Sequence, residues 1–331
     1  MSVAIGALLS FSAFSQSLHP FEAVEPHMGS LFRIKLYAAD EQQAQQAFHA
    51  AFARIAQLDD ELSDYKPDSE LNRLVRTAIQ HPQPASEDML RVLQTSEQLS
   101  EKTTGEFDIT IGPLTHLWRQ ARKANRLPSP EAIAAAKAKC GYRKLHIDPT
   151  AHTVWFDEPG MQLDAGAIAK GDAADQALKV LRQSGMNSAL VAASGDLAFS
   201  DAPPGEPGWK IGVDSLDSAN APFTRILLLA NAAVSTSGPS EQHFDVNGAR
   251  YSHIINPQSG TGLTRAITVT VIAPLGIHAD SLATAVSVIG PERGIALVDS
   301  LPGTAALVVT EEHGQRTLLE SRRFPAANSK K

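Results

Sequence analysis

With 331 residues, 43% hydrophobic and 20% charged, the chain has an ordinary globular composition and enough length for a large core, which excludes overall disorder. A net charge of −7 without a cluster of Lys and Arg excludes a protein held on a nucleic-acid backbone; an anionic small molecule would need a metal or a local set of donors to receive it. The single cysteine, Cys140, excludes an intramolecular disulfide and any cysteine-based metal site, and is expected as a small buried hydrophobe.

The chain begins with an apolar run over residues 3–14, and Ala13-Phe14-Ser15 is similar to a signal-peptidase site. The run is too short to cross a bilayer. No Arg or Lys precedes Arg33, so the positive flank of a signal is missing. The expectation is an exported, periplasmic-type protein in which residues 1–15 are a signal remnant, 24–322 the domain and 323–331 a polar tail. Residues 28–39 read as a strand, because Phe32, Ile34 and Leu36 alternate with Arg33 and Lys35. Residues 41–62 read as a helix: Ala44, Phe48, Ala51, Ile55, Leu58 and Leu62 step by fours and threes. A polar loop follows over 63–69. A second helix opens after Ser86, with Glu87 and Asp88 in its first turn, and Gly105 closes it. Ser129-Pro130-Glu131 marks another helix start and Gly141 its stop, and strands are expected at 144–147 and 153–156.

From Asp164 the sequence D-A-G-A-I-A-K-G leads into a helix ending near Ser184. Gly166 and Gly171 permit close backbone approach and Lys170 offers a cation at a helix start; the order is not that of a P-loop. Strands are expected at 188–193, 210–213, 225–229, 233–236 and 266–273, with a turn at Ser194-Gly195-Asp196 and a polar stretch over 237–262. Within that stretch His253 is a candidate general base, titrating near neutrality, although a lone His at a strand edge is also commonly structural. Leu282, Val286 and Ile289 predict a buried helix opening at Asp280, with Thr284 four residues on and on the same face. A carboxylate and a hydroxyl there suit Mg²⁺ and phosphate; the same two residues also make a plain N-cap and a helical threonine bonded back to the backbone. A helix at 292–300 and a hairpin over 305–319 close the fold. Helices and strands mix without strict alternation, which favours α+β with a largely antiparallel sheet.

Seven segments in order, within a likeness that runs from about Met28 to Leu319, resemble the ApbE-like FAD:protein FMN transferase family. They are M-G-S-L-F-R at Met28, L-S-D-Y-K-P-D-S-E-L-N-R-L at Leu62, G-E-F-D-I-T-I-G-P-L at Gly105 and D-A-G-A-I-A-K-G at Asp164. The others are S-T-S-G at Ser235, H-I-I-N-P-Q-S-G at His253 and A-D-S-L-A-T at Ala279. The resemblance implies a single T-fold-like α+β domain with helices packed on its sheet. It also implies a Mg²⁺-dependent reaction in which FAD is cleaved at its pyrophosphate, FMN passes to a threonine hydroxyl of an acceptor protein, and AMP leaves. The acceptor would be a redox subunit or a small flavin-carrying domain, through which the protein associates peripherally with a membrane.

By the family pattern, Asp280 and Thr284 give side-chain oxygens to Mg²⁺ and Ala167 gives a backbone carbonyl. Met28, Tyr65, Glu106, Phe107, Asp108, Asp164, Lys170 and Ile255 fall where the family lines its FAD site. Tyr65 would stack on the adenine, Asp108 and Asp164 suit ribose or base hydrogen bonds, and His253 would take the threonine proton. The chain departs from the pattern at Asn256, where aspartate is usual, at Ser194, where glycine is commoner, at Ala165, where leucine is usual, and in P-S-E-Q after S-T-S-G. Asn256 removes a charge near His253. A FAD pyrophosphatase releasing FMN and AMP, and a non-catalytic flavin-binding protein, are the alternatives to a transferase.

Overall fold

Eight strands make one sheet in the order of the chain. They are β1 (His19–His27), β2 (Ser30–Ala38), β3 (Ala189–Ala193), β4 (Asp196–Phe199), β5 (Ala232–Ser237), β6 (Ala266–Ala273), β7 (Ala305–Glu312) and β8 (Gln315–Glu320), in a computed structural model that describes residues 17–213, 225–238, 243–246, 248–312 and 315–326. Every neighbouring pair is antiparallel, which gives the expected α+β class. The apolar run at 3–14, the P-S-E-Q departure at 239–242 and the tail beyond Ala326 lie outside the described residues.

Between β2 and β3 the chain leaves the sheet. It makes α1 (Glu41–Leu62), α2 (Glu70–Thr77), α3 (Glu87–Thr103), α4 (Gly112–Lys123), α5 (Pro130–Ala138) and α6 (Ala169–Gln183). A small sheet of Gln83–Pro84, Thr153–Phe156 and Leu145–Asp148 sits among them. Between β6 and β7 it makes α7 (Gly276–Ile289) and α8 (Pro291–Ser300). The starts of α1, α2, α3 and α5 follow local chemistry: the side chains of Asp40, Ser69, Ser86 and Ser129 accept from the amides of Gln43, Asn72, Met89 and Ala132.

The period-two pattern of the strands separates two cores. Ile267, Val269 and Val271 of β6 and Val308 of β7 face the helices, packing with Ile55 and Leu58 of α1, Leu181 of α6 and Val286 of α7. Ile272, Leu307 and Val309 face the other side, where a hairpin of Trp209–Val213 and Arg225–Leu229 covers them with Trp209, Ile211 and Leu227. Each Leu, Ile or Val fully withdrawn from water is worth about 1.5–3 kcal/mol, so both faces hold the sheet. Cys140 is half-buried rather than buried, and its surroundings push the thiol up to about 12, so it is inert as a nucleophile.

Two local expectations need correction, and two helices were not expected at all. Met28 is not in a strand: it sits with φ 49° in the Met28-Gly29 turn of a hairpin whose first strand, β1, was not expected. The loop over 63–69 stands as expected, and α2, which was not expected, follows it directly. The G-P-L-T-H-L-W segment forms α4, with Pro113 in its first turn. Finally, α7 opens at Gly276, so Asp280 lies one turn inside the helix and is not its cap.

Candidate functional site

The register of the sheet gathers polar turns at one edge. Phe32 pairs with Ala193 and Ser235 pairs with Asp196, so the Met28-Gly29 turn, the Ser194-Gly195 turn and the end of β5 lie together. Ser194 takes φ 55°, a left-handed conformation that favours the glycine it replaces. Its hydroxyl hydrogen-bonds to that of Ser30 at 2.6 Å.

Beside this edge, α6 and α7 cross closely enough that backbone meets backbone. A Cβ on Gly171 would stand 2.1 Å from the Gly276 carbonyl oxygen, and one on Gly276 would stand 2.4 Å from that of Gly171. The Gly171 amide donates to Asp280 Oδ2 at 3.0 Å. The start of α7 is capped from α6: Asp175 accepts from the Gly276 amide at 2.7 Å and the Ile277 amide at 3.0 Å. Burial pushes the Asp175 carboxyl up to about 6, against the pull of those two amides. Arg91 of α3 donates to both oxygens of Asp172 at 2.8 and 2.7 Å and so ties α6 to a third helix.

These elements enclose a cavity of about 580 Å³, a size suited to a cofactor-sized ligand. All twelve residues singled out in the sequence line it: Met28, Tyr65, Glu106, Phe107, Asp108, Asp164, Ala167, Lys170, His253, Ile255, Asp280 and Thr284. Asp280 is buried, and one turn further along α7 Thr284 is half-buried. Lys170 reaches from the start of α6 to pair with Asp196 Oδ2 and stands 4.0 Å from Asp280 Oδ2. Ser235 donates to the other Asp196 oxygen at 2.6 Å. His253 is exposed at the rim, ahead of buried Ile254 and Ile255.

Several carboxylates already hold loops together. Asp108 accepts from the Thr110 amide at 2.8 Å, the Thr110 hydroxyl at 2.6 Å and the Tyr142 amide at 3.0 Å, which leaves little capacity for a ligand donor. Burial nonetheless holds its carboxyl above the usual range. Glu106 is paired with Arg293 at 3.1 and 3.0 Å. Asp164 accepts from the Gly166 amide at 2.8 Å and from Arg119 at 2.9 Å. The Asn256 carboxamide oxygen accepts from the Gln258 and Ser259 amides at 2.7 and 3.1 Å, so it organises a turn and does not line the cavity. An uncharged side chain suffices for that work.

The acids of the lining, Asp59, Asp64, Glu106, Asp108, Asp164, Asp196 and Asp280, outnumber Lys66, Arg119, Arg122 and Lys170. A phosphate-bearing ligand would therefore profit from an added cation. The donors that Asp280, Thr284 and the Ala167 carbonyl can offer are all hard oxygens, which fits Mg²⁺. No group of three or more His, Cys, Asp or Glu side chains that could hold a metal occurs among the described residues, so such an ion would lean on backbone and ligand oxygens. Sequence reasoning did not single out Arg119, Asp64 or Asp196. Arg119 sits on the unexpected α4, at a position where the steps Leu114, Trp118 and Ala121 were the available helical signal.

The ApbE family model matches residues 28–308. The chain is 30% identical over 295 residues to a FAD:protein FMN transferase of Klebsiella pneumoniae, covering 88% of this chain and 84% of that one. Its fold is similar to that of the flavin transferase ApbE from Vibrio cholerae, with a TM-score of 0.82, 26% identity, and 92% and 98% of the two chains covered. It is likewise similar to the apo flavinyl transferase ApbE of Pseudomonas stutzeri, with a TM-score of 0.79, 31% identity, and 92% and 95% covered.

Proposed function

The chain belongs to the ApbE family, and from that premise we propose that it transfers FMN from FAD to a threonine hydroxyl of an acceptor protein, with Mg²⁺ bound and with release of AMP. The observation that carries this is the meeting of Ala167, Asp280 and Thr284, drawn from two distant segments, at the wall of one cavity that also holds Lys170 and His253. Bound there, Mg²⁺ would neutralise charge on the pyrophosphate oxygens, which is the main demand of phosphoryl-type transfer. Lys170, fixed by Asp196, adds a positive charge on the same side. His253 at the rim takes the proton of the threonine hydroxyl as that oxygen bonds to the phosphorus of the FMN half. The bond from that phosphorus to the bridging oxygen breaks, and AMP carries the bridge away. Exposure of His253 suits a base that must meet the side chain of a second protein.

The apolar run at 3–14 supports an exported location, where acceptors would be redox subunits or small flavin-carrying domains. The test is incubation of the protein with FAD, Mg²⁺ and a threonine-bearing acceptor domain, with acceptor-bound flavin read by in-gel fluorescence and mass. The expected result is a mass gain of one FMN on the threonine. It should be abolished in Asp280→Ala, and in His253→Ala it should fall far more than FAD binding does. Free FMN and AMP without acceptor-bound flavin would instead identify a pyrophosphatase. Intact bound FAD in the presence of Mg²⁺ would identify a binding protein.

A further inference from the structure

At the mouth of the cavity Arg119, which the sequence did not point to, gathers two residues that it did, Tyr65 and Asp164. Arg119, on α4, has a side chain 28% exposed and holds three partners at once. It donates through Nη1 to Asp64 and through Nη2 to Asp164 at 2.9 Å, and its guanidinium lies 4.5 Å from the centre of the Tyr65 ring. Tyr65 is 73% exposed, the most exposed large apolar side chain among the described residues, yet it lines the cavity. Its loop is otherwise shaped by Asn72, which donates to the carbonyls of Ser63, Asp64 and Lys66 at 3.3, 3.1 and 2.9 Å. Those bonds fix the backbone of the loop and leave the ring to Arg119.

The charges around Arg119 make it a firm support. Burial alone would weaken its charge, but Asp164 and Asp64 more than offset that and hold the guanidinium above its ordinary range. Asp64 itself is raised, by burial and by the nearness of Asp164, so the two acids need the cation between them. A guanidinium gripped by two carboxylates from different loops has one orientation, and a ring lying over it inherits that orientation.

We propose that Arg119 is a positioning residue: it pre-orients Tyr65 for the stack on a purine ring, the adenine half of the dinucleotide, that the family resemblance already implies for that side chain. This rests on the FAD reading above. An exposed tyrosine without support would lose its rotamer freedom on binding, whereas one already oriented does not. A planar Arg–Tyr stack extended by a purine also places every π-face against another. Because Asp164 opens the loop that leads to Ala167 and Lys170, the same guanidinium ties the purine end of the cavity to its phosphate end.

The test measures binding of ADP, adenosine, FAD and FMN to the full chain and to its variants by calorimetry. Arg119→Ala should weaken ADP, adenosine and FAD by about tenfold, equivalent to about 1.4 kcal/mol, and leave FMN, which has no purine, within about twofold. Arg119→Lys keeps the charge but not the plane and should fail to restore adenosine. Tyr65→Ala should lose as much as Arg119→Ala, and the double variant no more than either. Equal loss for FMN, or loss for ADP but not adenosine, would overturn the proposal in favour of a structural or purely electrostatic role. Unchanged adenosine affinity in Tyr65→Ala would overturn it even if the Arg119 variants do not fold. Failure of the parent to bind FAD would defeat the flavin reading instead, whereas a parent that binds FAD as well as Arg119→Ala does would defeat this proposal alone.

Discussion

At the inner end of the cavity Asp280 is held by backbone. Its oxygen takes the Gly171 amide, its helix lies against α6 without a Cβ at either Gly171 or Gly276, and that helix is capped by a carboxylate from α6. At the mouth Tyr65 is held by side chains: a guanidinium, two carboxylates and an asparagine that ties its loop. The inner corner is therefore rigid in the sense that packed interiors are, with no room for one added carbon. The mouth is ordered instead by directional contacts between side chains, so its geometry depends on each charged partner and not on close packing. A ligand's charged centre meets the first kind of construction, and its outer ring meets the second.

The comparison breaks most visibly at Gly171. Gly171→Ala would press a methyl against the Gly276 carbonyl, and overpacking of that severity should cost about 3 kcal/mol in chemical denaturation. A loss below about 0.5 kcal/mol would mean that the helix crossing does not set the inner corner. The next test is Asp175→Asn. The folded-state value of about 6 lies above that of an ordinary carboxylate, so the stabilisation this group gives is complete below about pH 4 and is lost as pH rises through 6. The parent should therefore lose stability relative to Asp175→Asn between pH 4 and 7, by about 1 kcal/mol or more. Parallel pH profiles for the two proteins would show that the cap is not strained by burial. The smallest effect is expected at Ser194→Gly. Relief of the left-handed serine should outweigh the loss of its exposed bond to Ser30 and raise stability by about 0.5 kcal/mol. A fall in melting temperature would show that the hydroxyl pair holds that turn.

What was legible in the sequence follows the same division. The helix over 41–62 was readable to the residue because its apolar stripe and its Asp40 cap are both local. The gathering of twelve residues on one cavity was readable because family-like motifs preserve the segments that line it. The start of α7 was not, since its cap is Asp175, some hundred positions away, and local rules then select Asp280 as the nearest acid. The strand β1 carries Pro20 and Pro26, which argue against a central strand; it is tolerated because β1 is the edge of the sheet. Arg119 escaped notice because its meaning lies in Asp64, Tyr65 and Asp164, none of them its neighbours in sequence.

The uninterrupted order of the strands across the sheet hides one exceptional junction. Every pairing but one joins segments separated by at most a few tens of residues, whereas β2 must wait for β3, since Phe32 pairs with Ala193 roughly 160 residues later. The hairpin of β1 and β2 and the early helices can form as they emerge, but the closure that seals them is a long-range event with a large entropic barrier. Gly171 must then find Gly276 across a further hundred residues before Asp280 is in place. The inner corner thus depends on contacts between segments a hundred or more residues apart, whereas Tyr65, Arg119 and Asp164 at the mouth all precede the long-range closure of β2 on β3 in the chain.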